Sequence, residues 1–144
     1  MSRALLDVNF LLALAWPHHQ FHATAEEWFY RNQAKGWVTC AVTQLGFIRL
    51  SSNRGYLGAL AKTPEEARDL MAALTSDPHH GYLGDLKPPV AMKEIAKLFG
   101  HQQVTDAYLI GVARLSKSRL VTFDRQLAPL AGDKSLLEIL APRL

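Results

Sequence analysis

Residues 104–127, VTDAYLIGVARLSKSRLVTFDRQL, constrain the fold more than any other stretch of the sequence. They predict a helix that is apolar on nearly every side between residues 107 and 115, with Thr105 as its N-cap. A basic turn and a short apolar strand at residues 120–123 follow, as in the centre of a parallel sheet. Asp106 falls in the first helical turn, where the helix dipole favours negative charge, and Asp124 falls where the strand stops.

The N-terminal segment supplies a matching unit. Residues 4–6 form an apolar run that ends at Asp7, and residues 10–16 are apolar again, which predicts strand, acid and helix in succession. In open α/β sheets, functional sites form beyond the carboxyl ends of the strands, where the strand order reverses. If the two strands are neighbours, we expect Asp7, Asp106 and Asp124 to converge at one edge of the sheet.

Length and composition indicate one globular domain spanning residues 1–144, large enough for a sizeable core. Hydrophobic residues make up 49% and charged residues 20%, which excludes a disordered chain. The formal net charge of +3 is compatible with nucleic acid as a partner. Cys40 is the only cysteine, so an intrachain disulfide and a cysteine-based zinc site are excluded. The apolar run at residues 10–16 is too short to span a membrane, and we expect a cytoplasmic protein.

Apolar strand-like runs alternate with helical segments along the rest of the chain. Thr63, Pro64 and Glu66 form a strong helix start, with an N-cap, a proline at the first helical position and a capping box. Further strands are predicted at residues 3–8, 37–42, 81–86 and 136–140, and further helices at residues 22–35, 43–50 (capped by Thr43), 63–75 and 88–100. This alternation predicts a three-layer α/β/α domain with a mainly parallel sheet.

The three acids allow two interpretations. Each of them alone could simply cap a helix, because Asp is a preferred N-cap residue. Three capping acids on one sheet edge would repel one another unless a cation lay between them. Carboxylate oxygens suit Mg²⁺ or Mn²⁺ better than zinc, and such ions commonly bridge to phosphate oxygens. The cluster therefore indicates metal-assisted phosphodiester hydrolysis.

Other candidate residues carry weaker signals. His18, His19 and His22 suggest zinc, but their spacing matches no zinc motif, and exposed turn histidines are the simpler interpretation. Arginines could contact phosphate or could simply be solvated; these are Arg49, Arg54 and Arg125. The sequence contains no P-loop, GxGxxG or GxSxG motif, which removes the usual nucleotide-binding and hydrolase interpretations.

Four short motifs resemble those of one known family. They are LLDVN at residues 5–9, TQLGFIR at 43–49, TDAYL at 105–109 and VTFD at 121–124. Their order and approximate spacing resemble PIN-domain proteins, most closely the VapC toxins of bacterial type II toxin–antitoxin pairs, over essentially the whole chain. The resemblance implies a Mg²⁺- or Mn²⁺-dependent endoribonuclease that cuts structured RNA, such as tRNA or ribosomal RNA, and halts translation. It also implies a homodimer and a cognate VapB-type antitoxin that blocks the site.

The resemblance also assigns roles to residues. Asp7, Asp106 and Asp124 match three acidic positions of the family, and Asn9 and Thr122 match polar positions near them. The family has Glu where this chain has Gln44, which keeps a carbonyl oxygen but loses the charge.

We therefore expect the three acids to hold the metal, Gln44 to line the site, and Arg49 to contact RNA phosphate. Two rival hypotheses remain. One is a catalytically weakened PIN fold that binds RNA or a partner protein. The other is an unrelated α/β domain whose acids only cap helices.

Overall fold

Five parallel strands form one sheet in the structure, a computed structural model that describes residues 2–142. The strands are β1 (Arg3–Leu6), β2 (Trp37–Cys40), β3 (His80–Leu83), β4 (Ser118–Thr122) and β5 (Leu137–Ile139), in the order β3-β2-β1-β4-β5. The helices are α1 (Val8–Ala15), α2 (His22–Asn32), α3 (Ala41–Ser51), α4 (Arg54–Leu57), α5 (Pro64–Thr75), α6 (Lys93–Ala96) and α7 (Val104–Leu115). Short 3-10 segments lie at Gln33–Lys35, Gly58–Leu60, Pro89–Ala91, Arg125–Leu130 and Lys134–Leu136. The predicted parallel α/β/α architecture is confirmed.

Strand β1 lies at the centre, and its two sides pair with strands that are far apart in the sequence. Leu5 is in register with Val38 of β2 and with Leu120 of β4. The strand order reverses at β1, because β2 and β3 lie on one side of it and β4 and β5 on the other. This pairing places the carboxyl ends of β1 and β4 side by side, which is the condition under which the acids were expected to converge.

Both faces of the sheet are covered, which is why apolar residues follow one another in the central strands, at residues 4–6 of β1 and 120–121 of β4, rather than alternating with polar ones. Leu6 packs into a core with Phe10 of α1, Trp28 of α2 and Phe47 of α3. The neighbouring Leu5 points to the other face, into a second core formed largely by α7. The helix α7 is buried from Ala107 to Ala113 and so fills one whole layer, in agreement with its apolar sequence.

Two predicted helix caps are wrong, and one is confirmed. Helix α7 begins at Val104 with Gln103 as its N-cap, so Thr105 already lies inside the first turn. Helix α3 begins at Ala41 with Cys40 as its N-cap, because the hydroxyl of Thr43 accepts from the Cys40 amide at 3.0 Å from inside the helix. The predicted capping box of α5, with Thr63 and Glu66, is present.

The long helix predicted at residues 88–100 is also wrong. A 3-10 turn at Pro89–Ala91 and the short α6 occupy its place, and residues 97–103 form a loop. Met92 interrupts the helix with an extended backbone (φ −89°, ψ 110°) and buries its side chain against α7, where it is 3% exposed. No helix within residues 2–142 is long and apolar enough to cross a membrane.

Candidate active site

Asp7 stands at the junction of β1 and α1 and serves both elements. Its backbone amide donates to the carbonyl of Val121 at 3.0 Å, which continues the pairing with β4. Its Oδ1 accepts from the amide of Val8 at 2.8 Å and so caps α1, while its Oδ2 accepts from the hydroxyl of Thr122 at 2.8 Å. The side chain is only 6% exposed, so its carboxylate is held in one orientation.

Thr122 organises the polar groups around Asp7. Its hydroxyl donates to Asp7 and accepts from two nitrogens, Nδ2 of Asn9 at 2.9 Å and the backbone amide of Asp124 at 3.1 Å. Asn9 in turn accepts from the amide of Phe123 at 3.1 Å through its Oδ1. Asn9 and Thr122, the two polar residues predicted from the sequence, therefore join the end of β4 to the start of α1 through hydrogen bonds.

Asp124 follows directly and caps the next segment. Its Oδ1 accepts from the amide of Gln126 at 2.9 Å, so it forms the N-cap of the 3-10 segment Arg125–Leu130. The predicted capping role of Asp124 is thus present, in front of a 3-10 segment rather than an α-helix. Within residues 2–142, no group donates a hydrogen bond to the other carboxylate oxygen, Oδ2 of Asp124. That oxygen is therefore available to a ligand.

Asp106 completes an electrostatic cluster with the other two acids. It lies in the first turn of α7 and is half-buried. Burial, followed by the negative charges of Asp7 and Asp124, raises its pKa to about 6. Burial also raises the pKa of Asp7, against hydrogen bonds from Thr122 and Val8 that lower it, and the charge of Asp124 raises it further. The three carboxylates therefore interact electrostatically. None of the ion pairs found within residues 2–142 involves them.

The donor set fits a hard divalent cation. Carboxylate oxygens are the ligands such ions prefer, and the mutual repulsion of the three acids is the charge that a cation would neutralise. In the part of the chain that the structure describes, no three His, Cys, Asp or Glu side chains are close enough to share one ion as they stand. Mg²⁺ commonly takes only one or two carboxylates and keeps several waters, so it does not need all three at once.

A groove of about 670 Å³ opens beside the cluster. Asp106 and Asp124 line it together with the loop 97–103 and residues of the 3-10 segment that follows Asp124. A second cavity, of about 750 Å³, lies between the end of β3 and the end of α7 and contains none of the three acids. The groove next to Asp106 is therefore the one that can admit a substrate to the carboxylates.

Gln44 lies in the first turns of α3 and is hydrogen-bonded to strand β2. Its Nε2 donates to the hydroxyl of Thr39 at 3.0 Å, and that hydroxyl lies 2.8 Å from Nε2 of His80. Burial lowers the pKa of His80. The structure thus brings Gln44 into a hydrogen-bond network with β2 and β3. His80 was missed because its partner Thr39 lies 41 residues away and no motif connects them.

The remaining candidates lie outside the cluster. Arg49 is exposed in the last turn of α3, a helix that begins at the edge where the acids lie and runs away from it. The histidines near α2 make local contacts: Nδ1 of His22 lies 2.8 Å from the carbonyl of Ala13, and Nδ1 of His19 accepts from the amide of Phe21 at 3.0 Å. These contacts agree with turn histidines that shape the entry to α2.

Comparison with known proteins gives a consistent picture. The family model described as PIN domain matches residues 4–133. The chain is 40% identical to Ribonuclease VapC39 of Mycobacterium tuberculosis (strain H37Rv) over 139 residues, covering 95% of this chain and 99% of that protein. It is 42% identical to Ribonuclease VapC38 of the same strain over 131 residues, covering 91% and 92%. Ribonuclease VapC44 is 38% identical over 128 residues, covering 88% and 89%.

Proposed function

The chain belongs to the PIN-domain family, and from that premise we propose that it is a divalent-metal-dependent endoribonuclease acting as the toxin of a type II toxin–antitoxin pair. Its similarity to proteins named as VapC ribonucleases supports RNA as the substrate. The observation that carries the chemistry is the electrostatic interaction of three acids at the edge of the central strands: the charges of Asp7 and Asp124 raise the pKa of Asp106, and the charge of Asp124 raises that of Asp7.

Each carboxylate has a defined task in this proposal. Asp7, Asp106 and Asp124 hold the metal, which supplies Lewis-acid chemistry by activating water and stabilising charge on the scissile phosphate. Thr122 keeps Asp7 in the orientation that presents its carboxylate, and Asn9 holds Thr122 in place. Burial and the charges of Asp7 and Asp124 raise the pKa of Asp106 to about 6, so a metal ion that binds there displaces the proton that Asp106 still holds in part near neutral pH.

Several finer features belong to the same proposal. The metal is Mg²⁺ or Mn²⁺, because all the proposed ligand atoms are oxygens. The substrate is structured RNA, such as tRNA or ribosomal RNA, and its cleavage inhibits translation in the cytoplasm. The partners are a second copy of the chain and a VapB-type antitoxin. Arg49 is exposed in the last turn of α3, where its side chain is available to an RNA phosphate.

A second candidate function is a PIN fold that binds RNA or a partner protein with little catalysis. The position of Gln44 favours it, because the amide is engaged with Thr39 and adds no charge to the metal site. Both functions predict RNA binding, but only the first predicts cleavage that depends on metal and on the carboxylates.

The deciding experiment incubates a total tRNA and ribosomal RNA pool with the wild-type protein and with Asp106→Asn, in Mg²⁺, in Mn²⁺ and in chelator. We expect cleavage by the wild type with metal only, and none by Asp106→Asn, which should keep its fold because the change removes one of three repelling charges. Asp85→Asn, an exposed acid outside the groove, is the matched control. Equal cleavage by folded Asp106→Asn would reject the metal-site assignment, and RNA binding without cleavage by the wild type would favour the second function.

A further inference from the structure

The groove beside the acids also has a wall with a different character. Loop 97–103 forms it, and Phe99 projects from this loop with a side chain that is 108% exposed. It is the most exposed of the large hydrophobic side chains in residues 2–142. A single exposed apolar side chain is ordinary by itself. This one is distinctive because it lines the same groove as Asp106 and Asp124.

The loop that carries Phe99 is anchored at both ends. On the α6 side, the amide of Leu98 donates to the carbonyl of Ile95 at 3.2 Å. On the α7 side, Nε2 of Gln103 donates to the carbonyl of Gln126 at 3.3 Å, which joins the loop to the segment that follows Asp124. Leu98 is half-buried, whereas Phe99 next to it is fully exposed. The aromatic ring is therefore presented to the groove by a loop that is fixed on both sides.

The other side chains of this wall are polar or cationic. Lys97, His101 and Gln102 are exposed and line the groove together with Phe99. Lysine can pair with phosphate, and a side-chain amide offers both a donor and an acceptor to the edge of a base. An aromatic face next to a cation and an amide is the composition with which proteins bind unpaired nucleotides. A volume of about 670 Å³ is in the usual range for sites that enclose a small ligand.

We propose that this wall is a subsite for one unpaired nucleotide of an RNA substrate, next to the phosphate that is cut. The base stacks on Phe99, Lys97 pairs with a backbone phosphate, and the Gln102 amide meets the base edge. The subsite rests on the proposed ribonuclease function and adds to it the side chains that hold one nucleotide next to the carboxylates.

The test measures RNA binding separately from cleavage. All variants are made in the Asp106→Asn background, and the anisotropy of fluorescein-labelled hexaadenylate is followed at fixed salt. We expect Phe99→Ala to weaken binding roughly tenfold, since stacking on an aromatic side chain contributes on that scale per base. Phe99→Tyr keeps the ring and should bind within about twofold of the parent, because the stacking face is retained. Tyr30→Ala removes another aromatic ring that is 84% exposed, outside the groove, and should change nothing.

A second measurement tests the phosphate contact. Lys97→Gln should weaken binding of hexaadenylate and hexauridylate alike, and should lower the slope of log affinity against log salt by about one counterion. Phe99→Ala should leave that slope unchanged, because it removes no charge.

The outcomes separate the subsite from the proposed function. If Phe99→Ala binds hexaadenylate as tightly as Tyr30→Ala does, the subsite is rejected, whereas metal- and Asp106-dependent cleavage can still stand. If the wild type cuts no RNA but binding still depends on Phe99, the ribonuclease proposal fails and the nucleotide site remains. If Phe99→Ala leaves RNA affinity unchanged but shifts the sedimentation of the protein, the loop is a protein contact and the subsite is overturned.

Discussion

The hydroxyl of Thr122 donates to Oδ2 of Asp7 at 2.8 Å, across 115 residues of sequence. The same oxygen accepts from Nδ2 of Asn9 and from the amide of Asp124, so a single hydroxyl uses all its hydrogen-bonding capacity. It is fully buried, and no water can replace it without a cavity. The orientation of Asp7 in the proposed metal site therefore depends on Thr122, a neutral residue that is not itself one of the proposed metal ligands.

Replacing this hydroxyl should be costly even though the shape is kept. Thr122→Val leaves Asp7, Asn9 and the Asp124 amide without their common partner, and each unsatisfied buried group costs about 1–3 kcal/mol. We expect the free energy of unfolding in chelator to fall by roughly 2 kcal/mol or more, and metal-dependent cleavage to be lost. Urea unfolding measures the first effect. Thr122→Ser keeps the hydroxyl and is the control, which should lose much less stability; a valine variant as stable as the wild type would show that the hydroxyl bonds do not hold this edge.

The stability of the metal-free protein should depend on pH through Asp106. Its pKa is about 6 in the folded protein against 3.8 ordinarily, so the folded state binds a proton that the unfolded state has lost. Above about pH 6 the carboxyl is ionised in both states and the folded state bears the full repulsion. As the pH falls from about 6 towards 4, the proton relieves that repulsion and stability rises. Because the group is only half-buried, we expect an effect on the order of 1 kcal/mol.

The measurement compares the wild type with Asp106→Asn by urea unfolding in chelator at about pH 7 and about pH 5. The Asn variant lacks the titrating group, so its stability advantage over the wild type should be larger at the higher pH. Asp7 titrates in both proteins and does not produce the difference. An advantage that is the same at both pH values would show that Asp106 is not destabilised by its neighbours.

Divalent metal should raise the melting temperature by mass action, because it binds the folded cluster and not the unfolded chain. At about one hundred times its dissociation constant, a ligand adds about 2.7 kcal/mol to the free energy of unfolding. Asp124→Asn should reduce this shift strongly, since Asn keeps an oxygen that can cap Gln126 but loses the charge. Asp85→Asn, which removes an exposed acid elsewhere, should shift like the wild type. Equal shifts for all three proteins under Mn²⁺ would mean non-specific binding.

Gln44→Glu should raise the pKa of His80. The Gln44 amide donates to Thr39, which leaves the Thr39 hydroxyl free to donate to a neutral His80 ring. A carboxylate cannot donate, so Thr39 would donate to Glu at position 44 and His80 would have to supply the proton of the other bond. The added negative charge acts in the same direction. A titration of His80 followed by NMR measures the change from its lowered pKa.

Gln44→Met is the matched control, because it has a similar shape with no charge and no donor. It should not raise the pKa of His80. If the glutamate variant also leaves His80 unchanged but binds Mn²⁺ more tightly in calorimetry, its side chain has turned towards Asp7, and the network seen for Gln44 does not hold a carboxylate.

The sequence could predict that Asp7 and Asp124 follow parallel strands, and the pairing of β1 with β4 brings those two strand ends side by side. Asp7 ends one apolar run and Asp124 ends another, and a parallel sheet brings such ends to one edge. The orientation of Gln44 could not be read in this way, since it depends on a hydroxyl five residues earlier and on a ring from β3. The sequence predicted a helix through the loop around Phe99, and this was wrong. The helix is interrupted at Met92, whose side chain packs against α7, and such tertiary packing cannot be read from local sequence.

The pairing of β1 with β4 also sets the moment at which the protein can become active. A nascent chain that has not yet reached Thr122 has Asp7 but no hydroxyl to orient it, and it lacks Asp124 altogether. Until β4 is made, the carboxyl edge of β1 has its neighbour β2 on one side only. On the proposed function, cleavage therefore requires β4 to have joined the centre of the sheet, and a chain that ends before Thr122 should leave RNA uncut.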